Sequence, residues 1–229
     1  MNSQAPRTNV LIHHPDPILS AGLVAALRQH GMFEVFVHGV DNLGADGPVI
    51  DVVIADYEGA MRHLESPGPR SMSLWSRARV LALTANDREN DIRRAIEAGI
   101  HGYVLVGGAI DELVDAVSHA AGGLRFMSHS VAQRMADSLT RAVLTAREIE
   151  VLTLVASGQP NKSIARTLSI ELTTVKSHIS AILGKLGATT RTQAARIAAS
   201  RGLVGDYALA SPLAALPLGV PHHGSALAV

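Results

Sequence analysis

Two groups of residues in this chain carry side chains that could do chemistry. The first is His13 and His14 with Asp16 and Asp56, imidazoles and carboxylates of the kind that hold a metal ion or a small ligand. Adjacent histidines on a strand point to opposite faces, so the pair cannot ligate one ion without a bend, and a structural or hydrogen-bonding role is the expectation. The second is Lys176, Ser177, His178, Ser180 and Lys185, polar and basic groups interleaved with Val175, Ile179, Ile182 and Leu186. The apolar set recurs at helical spacing, so the polar set covers the other faces of that helix, where ammonium, imidazole and hydroxyl groups suit phosphates and base edges. Gly107-Gly108 lacks the Gly-Lys-Ser/Thr ending of a phosphate loop, and no Ser-His-Asp or paired-glutamate arrangement stands out. An enzyme is therefore not expected, nor any cofactor or bound metal.

The elements that position the basic group run from Leu144 to Val204. Thr145 with Glu148 has the spacing of a capping box, and Leu144, Ile149, Leu152, Leu154 and Val155 give the helix it opens an apolar side. Gly158 stops that helix, and Gln159-Pro160-Asn161 is turn chemistry. Asn161 is placed to cap a second helix from Lys162 to about Leu168. A third, starting near Thr173 or Thr174, carries the basic face, and a fourth spans Arg191 to about Ser200. Two short helices, a tight turn and a third helix with a polar face predict a helix-turn-helix. Ala194, Ala195 and Ala198 make the fourth helix a candidate dimer seam, because small side chains allow close helix contact.

The front half alternates short aliphatic runs with helical patterns. Val10-Leu11-Ile12, Val35-Phe36-Val37, 51–55, 80–84 and 103–106 read as strands; 18–29, 87–98 and 111–121 read as helices. Strands that are continuous aliphatic runs, separated by helices, predict a parallel sheet covered on both faces, with any site at the carboxyl ends of the strands. Glycines and Pro48 between the second and third strands, and Pro67-Gly68-Pro69 between the third and fourth, predict reduced helices in those connections.

Composition bounds the rest. An apolar fraction of 47% supplies two cores, and 3% aromatic content makes those cores aliphatic. With no cysteine, disulfides, thiolate metal sites and cysteine nucleophiles are excluded. No signal-peptide core or membrane-length apolar run occurs, so a cytoplasmic protein without a membrane partner is expected. The net charge of zero hides an asymmetry: residues 1–122 carry 9 basic against 15 acidic groups, a balance of −6, and residues 143–204 carry 8 against 3, a balance of +5. The excess of cations coincides with the helix-turn-helix and points to a polyanionic partner for that part alone.

These residues resemble a known family. LT-x-RE-x-EVL at 144–152, NK-x-IA at 161–165, TVK-x-H-I at 174–179, KLG at 185–187 and RTQA at 191–194 are similar, in order and spacing, to the LuxR-type helix-turn-helix domain of NarL/FixJ response regulators. The resemblance extends more loosely to a receiver domain in the front half. It places Asp56 at the phosphoacceptor position and Thr84 and Tyr103 at the switch positions. The family's magnesium-binding acidic pair aligns with His14 and Pro15, and its active-site lysine with Val106, so a degenerate receiver that does not use aspartyl phosphorylation is implied. Family members also commonly have Ser-Glu where this chain has Glu171-Leu172, and Asn where it has Ala181.

The expectation is thus a flavodoxin-like receiver with a five-stranded parallel sheet at 1–122, a linker with a short helix at 123–142, an all-α LuxR-type domain at 143–204 and a mobile tail at 205–229. Lys176 and His178, with Ser177 and Ser180, are expected at base edges. Thr174, Asn161, Lys162, Lys185, Arg191 and Thr192 are expected at phosphates. The implied function is a homodimeric transcription regulator of double-stranded DNA, with RNA polymerase a further partner and a small-molecule ligand or partner protein acting on the receiver. The side formed by 87–98, 103–106 and 111–121 is expected to dimerise or signal. The alternatives are a protein-interaction adaptor that no longer binds DNA, and an orthodox regulator activated by phosphorylation at Asp56.

Overall fold

The computed structural model describes residues 7–41, 43, 47–65 and 78–205. The chain divides into two compact units, Met1–Arg141 and Ala142–Val229. The expected mobile tail, save Gly205, and the Pro67-Gly68-Pro69 connection lie outside the described residues.

In the first unit the elements are β1 (Thr8–His13), α1 (Pro17–Arg28), β2 (Phe33–Val37), β3 (Val52–Ala55), α2 (Tyr57–Glu65), β4 (Arg79–Thr84), α3 (Glu89–Glu97), β5 (Gly102–Leu105), α4 (Ile110–Ala121), β6 (Phe126–Met127) and α5 (His129–Leu139). All strands pair in parallel in the order β2-β1-β3-β4-β5-β6. Successive strand residues go to opposite cores: Val10, Ile12, Val52, Ile54, Leu81 and Leu83 pack with α1 and α4, while Leu11, Val53, Ala55, Val80 and Ala82 pack with α2 and α3. Both faces are buried, which is why the strands read as unbroken aliphatic runs rather than alternating ones. Since every strand runs the same way, His13, Ala55, Thr84 and Leu105 end at one edge of the sheet.

Two expectations about this unit need correction. The sheet has six strands, not five, and the sixth comes from the stretch assigned to a linker. Phe126 and Met127 pair with Gly102 and Tyr103, too short a run to register as a strand by periodicity. The helix after it, α5, is likewise part of the first unit: Val131 is fully buried in the core beside α3 and Met135 packs on it. Arg134 pairs with Asp87, and Arg141 with Glu89 at 2.5 Å. The side expected to dimerise is therefore partly covered by α5. Of the reduced helices, none occurs among the described residues between β2 and β3, and α2 is nine residues long, starting directly after Asp56.

The second unit is α6 (Ala146–Ala156), α7 (Asn161–Thr167), α8 (Leu172–Leu186) and α9 (Arg191–Ser200). Val151, Leu152, Val155, Ile164, Val175, Ile182 and Leu186 form its centre, each contributing about 1.5–3 kcal/mol by leaving water. The capping box at Thr145 and Glu148 forms with both bonds in place. Asn161 does not cap α7; it is the first helical residue, after Pro160. The third helix begins at Leu172, slightly earlier than expected. The small-residue seam is corrected in one respect: Ala194, Ala195 and Ala198 are buried within the unit, where they let α9 pack closely on its own neighbours.

Candidate nucleic-acid interface and receiver edge

Helix α8 sorts its residues by angle. Val175, Ile182 and Leu186 turn inward, and Val175 is fully buried, as its apolar character requires. Thr173, Thr174, Lys176, Ser177, Ser180 and Ala181 are exposed, and His178 is half-buried. Gly187, at φ +65°, ends the helix in the left-handed region where a side chain would strain the backbone. Lys162 and Thr192 are exposed and Asn161 is half-buried. Most of the expected DNA contacts are therefore open to solvent.

Two are not free in that way. Lys185 donates to Glu148 Oε2 at 2.7 Å, and Glu148 is only 5% exposed. The same carboxylate accepts the backbone N–H of Thr145 at 2.7 Å. The Lys185 hydrogen bond and that of Thr145 hold the Glu148 carboxyl below its usual range. Lys185 thus fastens α8 to α6. Arg191 donates to the carbonyls of Gln159 at 2.9 Å and Val155 at 3.4 Å, tying α9 to the end of α6 and the following turn. Arg147 similarly bonds the Leu168 carbonyl at 2.8 Å. Sequence spacing missed these roles because the partners lie 21 to 37 positions away.

At the carboxyl edge of the receiver sheet, Asp56 Oδ1 accepts the backbone N–H of Gly59 at 3.0 Å, the bond of a helix N-cap. A Cβ on Gly59 would sit 2.6 Å from that oxygen, so glycine is what allows the carboxylate to fold over the first turn of α2. Asp16 does the same for α1, accepting from Ile18 at 2.8 Å and Leu19 at 3.1 Å. His14 Nδ1 accepts from the Asp16 N–H at 3.1 Å, while Pro15 is exposed. His13 packs edge-on against His38 with ring centroids 4.4 Å apart. Burial, then the charge of His38, lowers the pKa of His13, while Asp56 acts in the opposite sense. Among the described residues no group of three or more histidines and carboxylates is placed to hold a metal ion.

Thr84 and Tyr103 converge on one residue. The Thr84 hydroxyl accepts the Asn86 N–H at 3.1 Å, and the buried Tyr103 hydroxyl donates to the Asn86 carbonyl at 2.7 Å. Asn86 is further bonded to Asp91 at 2.9 Å. Val106, at the lysine-equivalent position, is exposed, and all three lysines of the chain, Lys162, Lys176 and Lys185, lie in the second unit.

A parallel receiver-type sheet followed by a four-helix unit with an exposed polar recognition helix is the architecture of a response regulator. Residues 142–198 match the model of the bacterial regulatory proteins of the luxR family. The response regulator RamR of Streptomyces coelicolor is 30% identical over 199 residues, 84% of this chain and 96% of that one. An uncharacterized transcriptional regulatory protein of Bacillus subtilis, YvfU, is 36% identical over 154 residues, 67% and 76% of the two chains. Two structures of RcsB share the fold: that of the Salmonella typhimurium protein at TM-score 0.62 and 23% identity, covering 84% of this chain and all of that one, and an RcsB–DNA complex at TM-score 0.58 and 24% identity, covering 85% and 98%. The chain belongs to the DNA-binding response regulators with a LuxR-type helix-turn-helix.

Proposed function

We propose that this chain is a sequence-specific transcription regulator that binds paired half-sites as a homodimer, with a receiver that works without aspartyl phosphorylation. The observation that carries the second part is the engagement of Asp56 as the cap of α2. Phosphoryl transfer to a carboxylate needs Mg²⁺ in near-octahedral oxygen coordination and a cation to neutralise the phosphoryl group. At this edge Asp16 is bonded to the start of α1, His14 and Pro15 stand where the acidic pair would be, and no lysine precedes Lys162. The donors do not fit the ion. A small-molecule ligand or a partner protein acting on the first unit takes the place of the phosphoryl signal. Incubation with acetyl phosphate and Mg²⁺ leaves the mass at Asp56 unchanged on this reading. A stable phosphoryl adduct that disappears in Asp56→Asn overturns it.

The DNA-binding part rests on the exposed Lys162, Thr174, Lys176, Ser177, Ser180 and Thr192, the half-buried Asn161 and His178, and the cationic balance of the second unit. The RcsB–DNA complex has this fold with DNA bound. Half-sites about one helical turn apart, roughly 10 base pairs, are expected for a two-fold dimer. The exposed Ala181 favours a second reading, an adaptor that kept the fold without the DNA contact. Gel-shift assays with genomic fragments at two salt concentrations separate the two, since the adaptor gives no salt-dependent complex.

A further inference from the structure

Glu171 is where charge and position disagree. The second unit has three carboxylates up to Val204. Glu148 is held by Lys185, and Glu150 by Arg147 at 2.6 Å. Glu171 is exposed and makes no side-chain hydrogen bond or ion pair among the described residues. It stands at the N-cap of α8, where its backbone carbonyl accepts from Val175 at 3.1 Å, so the position is used and the side chain is not. At the corresponding places of α6 and α9, Thr145 and Thr190 bond the free N–H groups of the first turn. The spare carboxylate borders an open depression between α7 and α8 that Arg166, Ser169 and Thr174 also line.

A lone anion there opposes docking on phosphates, and a shorter hydroxyl would cap the helix better. What a carboxylate does better than a hydroxyl is accept from an amino group. In the major groove cytosine presents such a donor at N4, and a helix-turn-helix brings the N-terminal end of its groove helix to the base edges. Resting on the DNA-binding reading above, we infer that Glu171 selects a cytosine by accepting from its exocyclic amino group.

The test is selection from a random-sequence duplex pool with the full chain, as wild type and as Glu171→Ala, Glu171→Gln and Glu171→Ser. Wild type recovers a motif with one cytosine whose replacement weakens binding by about five- to 150-fold. Glu171→Ala loses that preference and keeps the others, and Glu171→Gln shifts the position toward adenine. Glu171→Ser restores a capping hydroxyl, so its loss of the same preference cannot be laid to a weakened helix. If all variants recover the wild-type motif unchanged and merely bind every duplex more tightly, Glu171 only repels phosphate and the inference fails. If wild type enriches no motif at any salt, the DNA-binding reading itself falls, and the inference with it.

Discussion

Replacing Lys185 by Met separates a fastening role from a DNA-contacting one. Lys185 donates to a carboxylate that is 5% exposed, and its own side chain is 31% exposed. Methionine keeps most of the aliphatic stem and removes the cation, leaving the Thr145 N–H as the remaining donor to Glu148 Oε2, the oxygen that both groups share. Breaking a fully buried pair costs about 3–5 kcal/mol, but here the cation is partly solvated and one bond to the anion survives. A loss of about 1–3 kcal/mol is expected, roughly five- to 150-fold in the local opening equilibrium. Peptide-resolved amide hydrogen exchange on the full chain reads this in α6 and α8. Glu148→Gln with Lys185→Met recovers much of the loss, because the uncompensated charge is gone. The slope of log affinity against log salt stays at its wild-type value, whereas Lys176→Met lowers it by about 0.9 and leaves exchange untouched. A Lys185→Met protein with unaltered exchange and a slope reduced by that amount refutes the pairing argument.

Asp56→Ala destabilises the start of α2 by about 0.5–2 kcal/mol in chemical denaturation of the first unit, while Asp56→Asn, an equally good cap, stays near wild type; equal losses from both remove the capping role. Gly59→Ala, which elsewhere in a helix is stabilising, lowers the melting temperature because its Cβ meets Asp56 Oδ1; a rise contradicts the close approach. Burial, then His38, Arg62 and His63, lowers the pKa of His13 against the opposing pull of Asp56, so folding favours its neutral form. Its contribution is complete above the unfolded value of 6.5 and is lost as pH falls from there through the folded value, so His13→Gln flattens that part of a stability–pH curve. Ser169 holds φ +53°, and Ser169→Gly raises the unfolding midpoint of the second unit; a lowered one shows that the residue is not strained there.

Helix α8 and its basic face were legible because Val175, Ile179, Ile182 and Leu186 set the period and leave the polar residues outside. The receiver sheet was legible for a related reason: strands buried on both faces cannot hide their aliphatic content. What escaped was nonlocal. Nothing near Phe126 announces a strand, since two residues set no period and the pairing depends on Tyr103 and Gly102 already being in place. Lys185 sits on the half-polar flank of its helix, and only the fold decides whether Glu148 or solvent meets it. Ala194, Ala195 and Ala198 look the same in sequence whether the close contact is internal or with another chain. Asp56 was recognised by alignment, but its bond to Gly59 follows from α2 beginning immediately after β3.

The tie between Lys185 and Glu148 also bears on covalent chemistry. The chain has three lysines, and one of them is occupied. An acyl donor seeking an accessible side-chain amine finds Lys162 and Lys176, both exposed and both on the proposed duplex-facing side. Acetylation of this regulator would therefore fall on its grip on nucleic acid, sparing the first unit's side chains altogether.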